Sequence, residues 1–251
     1  MKKTIDNLVI EIHENRTLAG QAAGNHAAAE LRRILHEKEE ARVIFASAPS
    51  QKECLDTLVA ATGINWKNVT AFHMDEYIGL PKDSRQRFAN NLKENLFDRL
   101  NFGAVHLLDS DDPEILCDNY AKLLSHKPID MVCLGVGENG HLAFNDPPVA
   151  DFNDPKVIKI VELDAKCRHQ QVNDGCFSTF DAVPKFAVTL TIPVLLSANC
   201  LVCTVPGRSK HDAIKRLCEG GISTDCPASI LRKHHNCTLY TDNDCWYTRV
   251  G

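Results

Sequence analysis

The sequence has no apolar stretch approaching the ~20 residues that span a bilayer, which excludes an ordinary membrane-spanning helix. A secretory leader is not expected either. The opening "MKKTIDNLVIEIHENR" carries two lysines, but its apolar run, Leu8 to Ile10, is too short for an h-region. A cytoplasmic location is expected. Positive charge is in deficit: 28 Lys and Arg stand against 33 Asp and Glu, a net charge of −5. That balance excludes a general nucleic-acid binder, which needs a basic surface, but leaves room for a local basic pocket around a small anion. There is no internal repeat, low-complexity tract or linker, so one domain is expected across residues 1–251.

A metal framework is also lacking. Cys200 and Cys203 form a C-x-x-C, but it lies inside the apolar "LLSANCLVCTVPG", and no second C-x-x-C or histidine pair completes a zinc site. The eleven cysteines are an odd number in a chain that is not small, and free thiols are expected. What is present is an ordinary globular balance, 44% hydrophobic and 24% charged, in a chain long enough to bury a substantial core.

Helical and strand-like segments alternate. Residues 17–38 are rich in Ala, Leu, Glu and Arg and predict a long helix; shorter helices are expected at 50–62, 85–99 and 113–126, with Ser50 as an N-cap. "ARVIFASAPS", "NVTAFHM" (running into a loop at Asp75), "PIDMVCLGVG", "NCLVCTVPG" and "CTLYTDNDC" predict strands, several of them continuous apolar runs buried on both faces. "KVIKIVEL" is strand-like, and "SKHDAIKRLCEG" is a helix ending near Gly220. The pattern predicts an α/β fold: a three-layer, doubly wound, mostly parallel sheet with helices on both faces, and a loop-rich lid within 145–185. In such sheets ligands bind beyond the carboxyl ends of the strands, here "SAPS" (47–50), "MDEY" (74–77), "GVGENGH" (135–141) and "VPGRSK" (205–210).

Gly135, Gly137 and Gly140 spell G-x-G-x-x-G after a strand. A dinucleotide site needs a helix opening at the third glycine. Pro147 and Pro148 follow too soon to admit one. The glycines are instead expected to turn the backbone sharply, with N–H groups facing an anionic or oxygen-rich ligand. Close behind them stand Asn139, His141, Asn145 and Asp146. Any one Asn or Asp there reads as turn chemistry, but a histidine beside a carboxylate moves protons near neutral pH. A second acidic pair, Asp75 and Glu76, ends another strand, and two such clusters at one sheet edge predict a catalytic site.

"MDEYIGLP" together with "GVGENGHLAFNDP" resembles the glucosamine-6-phosphate deaminase (isomerase) family, over nearly the whole chain. The resemblance implies a reaction without cofactor or metal, in which glucosamine 6-phosphate and water give fructose 6-phosphate and ammonia. It implies His141 as the ring-opening acid–base, Asp75 as the base acting at C2 and C1, and Asp146 as the acid supporting the histidine. Lys210 and Arg168 are implied to bind phosphate, with Ser47, Ser50, Gly137 and Gly140 as nearby donors. Taken alone, either basic residue reads as a solvated surface charge. The implied partner is a small sugar phosphate, with neither nucleic acid nor membrane; a homo-oligomer is compatible with the sequence.

Three departures stand out. Asn139 occupies a position often acidic in the family and can only orient His141. "FNDP" carries a shorter acid than the family's "FNEP". The "SAPS" loop has lost the glycines of its counterparts, and Pro49 removes an N–H donor. A 6-phosphogluconolactonase-like hydrolase is the alternative enzyme, and a non-catalytic sugar-phosphate-binding regulator the alternative outside enzymes. Some family members are activated by N-acetylglucosamine 6-phosphate at a subunit interface. The segment "PPVADFNDPKVIK" has no serine or arginine for such a site, and the tail after Tyr247 is short, so no activation is expected.

Overall fold

The computed structural model describes residues 1–247; the tail residues, to which the sequence reading gives no part in an effector site, lie outside the described residues. In chain order the elements are β1 (Lys2–Ile5), β2 (Leu8–His13), α1 (Arg16–Lys38), β3 (Ala41–Phe45), α2 (Lys52–Ala60), β4 (Val69–His73), β5 (Asp75–Tyr77), α3 (Phe88–Asn95), β6 (Ala104–His106), α4 (Pro113–Ser125) and β7 (Met131–Leu134). There follow β8 (Ile158–Glu162), α5 (Ala165–Asn173), β9 (Phe186–Leu190), α6 (Ile192–Leu196), β10 (Cys200–Thr204), α7 (His211–Glu219), β11 (Cys237–Asp242) and α8 (Asn243–Trp246).

Eight strands form one sheet in the order β1-β2-β11-β10-β7-β3-β4-β6. Every neighbouring pair is parallel except the β1–β2 hairpin. The continuous apolar runs have the reason expected of them. Side chains alternate faces along a strand, so Val43 and Phe45 of β3 and Met131 and Cys133 of β7 pack with Ala23 and Leu31 of α1 and Leu58 of α2. Ile44, Val132 and Leu134 point the other way, into a cluster with Tyr120 of α4 and Leu217 of α7. Both faces are covered, which gives the three layers.

α1 starts where the Asn15 side chain accepts the N–H of Leu18 at 3.0 Å, satisfying one of the helix's unpaired first donors. It lies against α2 at a separation only glycine allows: a Cβ on Gly20 or Gly24 would stand 2.4 Å from Glu53 Cβ or 2.5 Å from Thr57 Cβ. Among the described residues no helix is long and apolar enough to cross a membrane. All eleven cysteines are free thiols, with Cys200 and Cys203 buried on β10.

Three expectations need correction. Asp75 does not sit in a loop: Asp75–Tyr77 is a strand, paired antiparallel with β9, which also pairs with β8 in a separate three-stranded sheet. Two adjacent acids hide that strand, because edge pairing rather than composition makes it. The helix expected at 85–99 is shorter, ending at Asn95 and followed by a separate 3-10 turn at Phe97–Arg99. Ser50 is not an N-cap; Pro49 starts a 3-10 turn, and α2 begins at Lys52 with no side-chain cap. Residues 145–185 carry β8 and α5 among their loops and share a third apolar cluster with Tyr77, Phe88 and Phe144.

Candidate active site

β7 and β3 are neighbours, and the chain runs outward from β3 through β4 to β6 before returning to β7. The sheet's direction of growth therefore reverses between β3 and β7, and the segments leaving their carboxyl ends must diverge and open a crevice. A cleft of about 490 Å³ lies there. Its walls include Ser47 and Ser50 beyond β3, Asp75 beyond β4, Gly135 and Gly137 beyond β7, and Gly207 and Lys210 beyond β10. Four strand ends far apart in sequence thus meet in one site.

Asp75 is 7% exposed and among the described residues its carboxylate has no hydrogen-bond partner. Burial, and then the neighbouring Glu76, push its pKa well above the ordinary carboxylate value, because both disfavour the charged form. Glu76 has a different fate. Its oxygens accept the N–H groups of Tyr77 (2.9 Å), Phe88 (3.1 Å) and Ala89 (2.9 Å), and Arg87 Nε stands 3.7 Å away. Glu76 caps the start of α3 and takes no part in the cleft wall, so Asp75 is the acid of the pair that lines the cleft. His73, which no sequence motif marks, supports this edge. Its Nε2 accepts the Leu108 N–H at 2.7 Å, so its Nδ1–H donates to the Asp75 carbonyl at 3.1 Å. Burial pushes its pKa down to about 3, and the ring stays neutral.

The opposite wall is the loop after β7. His141 Nδ1 lies 2.8 Å from Asp146 Oδ1. Asn139 braces both residues: its Nδ2 donates to Asp146 Oδ1 at 2.8 Å and its Oδ1 accepts the His141 N–H at 3.0 Å. Arg216 donates to the Asn139 carbonyl from outside. The shorter acid therefore reaches the imidazole. Burial works to raise the Asp146 pKa, but His141, Asn139 and the Asp164 N–H outweigh it and hold the carboxyl below its ordinary value. Asp146 is held ionised, and its oxygen beside Nδ1 favours the imidazole tautomer with the proton there, which leaves Nε2 as the acceptor.

The glycines act differently from expectation. The Gly137 N–H donates to the His141 carbonyl at 3.0 Å and the Gly140 N–H to the Gly137 carbonyl at 2.9 Å, so neither is free for a ligand. Gly137 supplies space instead: a Cβ there would stand 2.2 Å from the His141 ring. Gly140 supplies conformation, with φ of +90°, and does not line the cleft.

Lys210 is 5% exposed at the start of α7 and lines the cleft. Burial lowers its pKa while Asp174 and Glu138 act to raise it. Ser47 donates from Oγ to Asn91 Oδ1 at 3.0 Å, and Ser50 Oγ accepts from Gln51 Nε2 at 3.2 Å. Arg168 is not with them. Its guanidinium donates to the carbonyls of Phe180 (2.9 Å) and Val183 (2.8 Å) and lies over the Phe180 ring. It ties α5 to the segment before β9 and is absent from the cleft wall. The cations that do line the cleft with Lys210 are Arg16, Lys52 and Arg85. They sit in segments with no phosphate-binding signature, so only the fold gathers them. Tyr247 is half exposed, its hydroxyl against Met1 Sδ.

Residues 14–240 match the family described as glucosamine-6-phosphate isomerases/6-phosphogluconolactonase. The chain belongs to this family.

Among relatives within the glucosamine-6-phosphate isomerase/6-phosphogluconolactonase family, a protein of Lactobacillus delbrueckii subsp. bulgaricus named glucosamine-6-phosphate deaminase is 32% identical over 200 residues, 79% of this chain and 83% of that one. A Bacillus cereus protein of the same name is 34% identical over 183 residues, 72% and 68% of the two chains. Of solved structures, a monomeric glucosamine-6-phosphate deaminase superposes with a TM-score of 0.83 at 27% identity, covering 94% of this chain and 98% of that one. A 6-phosphogluconolactonase from Thermotoga maritima superposes with a TM-score of 0.76 at 21% identity, covering 94% and 100%, and shares the fold.

Proposed function

We propose that the chain is a glucosamine-6-phosphate deaminase, converting glucosamine 6-phosphate and water to fructose 6-phosphate and ammonia. The observation that carries this reading is the pairing, across one cleft, of an unpartnered buried carboxylate with a histidine–aspartate dyad. Ring opening moves a proton between the sugar's anomeric hydroxyl and its ring oxygen, and the free Nε2 of His141 does this while Asp146 stabilises the transient imidazolium. Asp75 then takes the proton from C2, next to the new aldehyde, and returns it to C1. A raised pKa suits that step, since a carboxylate with ordinary acidity is a feeble base toward carbon. The C2 imine left behind is attacked by water, and ammonia departs.

Lys210 is the proposed phosphate ligand at the mouth of α7, where helix-end N–H groups favour an anion. The relatives named deaminases, at 32–34% identity, favour this reaction over lactone hydrolysis. A coupled assay for ammonia release tests it with both the gluco and galacto epimers of the amino-sugar phosphate. Release from neither epimer, with hydrolysis of 6-phosphogluconolactone, would replace the reading with the lactonase; binding without any turnover would leave a regulator.

A further inference from the structure

Behind His141 lies a third reactive side chain that the deamination does not use. Cys167, on α5, is 1% exposed. Its thiol, the His141 imidazole and the Asp146 carboxylate each offer one ligand atom, and these atoms all lie within 4.8 Å of one another, with all three residues buried. A nitrogen, an oxygen and a sulfur donor gathered this closely are the set a tetrahedral, thiophilic divalent cation takes, with bonds of roughly 2.0–2.3 Å. Tetrahedral bonds of that length set ligand atoms roughly 3–4 Å apart, so the cluster closes on such an ion with only small side-chain movements. Hard cations such as Mg²⁺ or Ca²⁺ prefer six or more oxygen ligands, which this cluster does not offer.

From this geometry we infer an inhibitory binding site for a zinc-class cation, formed by His141 Nδ1, the Asp146 carboxylate and Cys167 Sγ. His141 is part of the cleft wall, which connects the cluster to solvent. On binding, the Cys167 thiol loses its proton to solvent and the thiolate bonds the ion. The Nδ1 proton now facing Asp146 gives way to the metal, and a neutral imidazole ligated through Nδ1 carries its proton on Nε2. One proton is released per ion, and no oxidant or reductant is needed. The consequence for catalysis is direct. Nε2, the nitrogen free to accept a proton, becomes a donor only, and Asp146 is spent on the metal. Burial and the adjacent Asp146 push the Cys167 pKa up, so the thiol stays protonated until a metal displaces the proton.

The site itself stands apart from the deaminase reading; only the loss of turnover rests on it. Two readouts separate them. Cd²⁺ added to the full chain is expected to give one equivalent of thiolate-to-metal charge-transfer absorbance, absent in Cys167→Ser and weakened in Asp146→Asn. Zn²⁺ is expected to stop ammonia release reversibly, with EDTA restoring it and Mg²⁺ without effect. Cys167→Ser, with basal turnover retained, should need at least ~10-fold more Zn²⁺ for the same inhibition. Cys167→Ala, which keeps no ligand at all, controls for residual binding through the serine hydroxyl. An absorbance band unchanged in both Cys167 variants would move the metal to another thiol and overturn the site. No band in the parent protein would also overturn it, whatever the enzyme's substrate proves to be. Zn²⁺ inhibition equal in parent and variants, beside a band that Cys167 does control, would overturn the inhibitory role.

Discussion

Asp75 in one wall of the cleft and Asp146 behind His141 in the other are both buried, 7% and 1% exposed, yet their acidities move in opposite directions. Among the described residues the Asp75 carboxylate has no donor, and burial, with the adjacent Glu76, raises its pKa. Around Asp146 stand His141, Asn139 and the Asp164 N–H, and its pKa falls. Burial depth is therefore a poor guide to a carboxylate's state; the donors packed around it decide. In the proposed reaction the first acid is the one that takes up a proton, and the second stays charged beside the histidine that does so.

The strongest way to break this contrast is Asp75→Asn. If Asp75 is the base, turnover falls by ~10²-fold or more, while substrate still binds. The same change removes the cost of ionising a buried group. A carboxyl with a raised pKa contributes stability in acid that is lost as pH rises through that pKa, so Asp75→Asn should melt higher than the parent at neutral pH. Wild-type turnover in this variant ends the assignment. In the parent, kcat/KM should fall on the acid side with a midpoint above the 3.8 of a free aspartate.

Asp146→Ala should cut turnover less, by roughly 10–100-fold, because His141 remains. It should also destabilise the fold by roughly 1–3 kcal/mol, since Asn139 Nδ2 loses its acceptor and His141 Nδ1 the carboxylate 2.8 Å away. Since the depressed pKa of Asp146 contributes stability above 3.8 that is lost as pH falls through its folded value, the gap between variant and parent in denaturant melts should narrow in acid. A gap that is constant with pH would show that the carboxylate's charge is not what holds this wall together.

The two predicted phosphate ligands sharpen the comparison between cleft and support. Lys210→Met should raise KM for the sugar phosphate about 10- to 100-fold, since a charge-assisted contact contributes ~1.5–3 kcal/mol. Arg168→Met should leave KM within about twofold, as the side chain is absent from the cleft wall and its Nη2 is held by the Phe180 and Val183 carbonyls, but lower stability by ~1–3 kcal/mol. Equal KM effects would return Arg168 to the site. The smallest effect on chemistry is expected from Glu76→Gln: turnover within a few-fold of the parent, with ~1–2 kcal/mol of stability lost from the cap of α3. A collapse of turnover there, with Asp75→Asn active, would exchange the roles of the two acids.

Much of this molecule could be read before its structure. The alternation of helices and apolar runs determined a mostly parallel sheet covered on both faces, because strand residues that bury both sides cannot alternate with polar ones. The motifs "MDEY" and "GENGHLAFNDP" located Asp75, His141 and Asp146, since strand ends and the loops that follow them are contiguous in sequence. Local sequence could not say what each group faces. Arg168 sits in a helix whose pattern does not reveal that its guanidinium turns inward to carbonyls, and Gly137 does not announce that its missing Cβ is the space His141 occupies. Nor does any stretch of sequence show Arg16, Lys52 and Arg85 sharing a wall with Lys210, or Cys167 lying against the dyad. Those relations come from segments brought together across the sheet's reversal between β3 and β7. The acidity of Asp75 and Asp146 is of the same kind: it depends on which donors packing places beside each carboxylate, and that is settled only when the chain is folded.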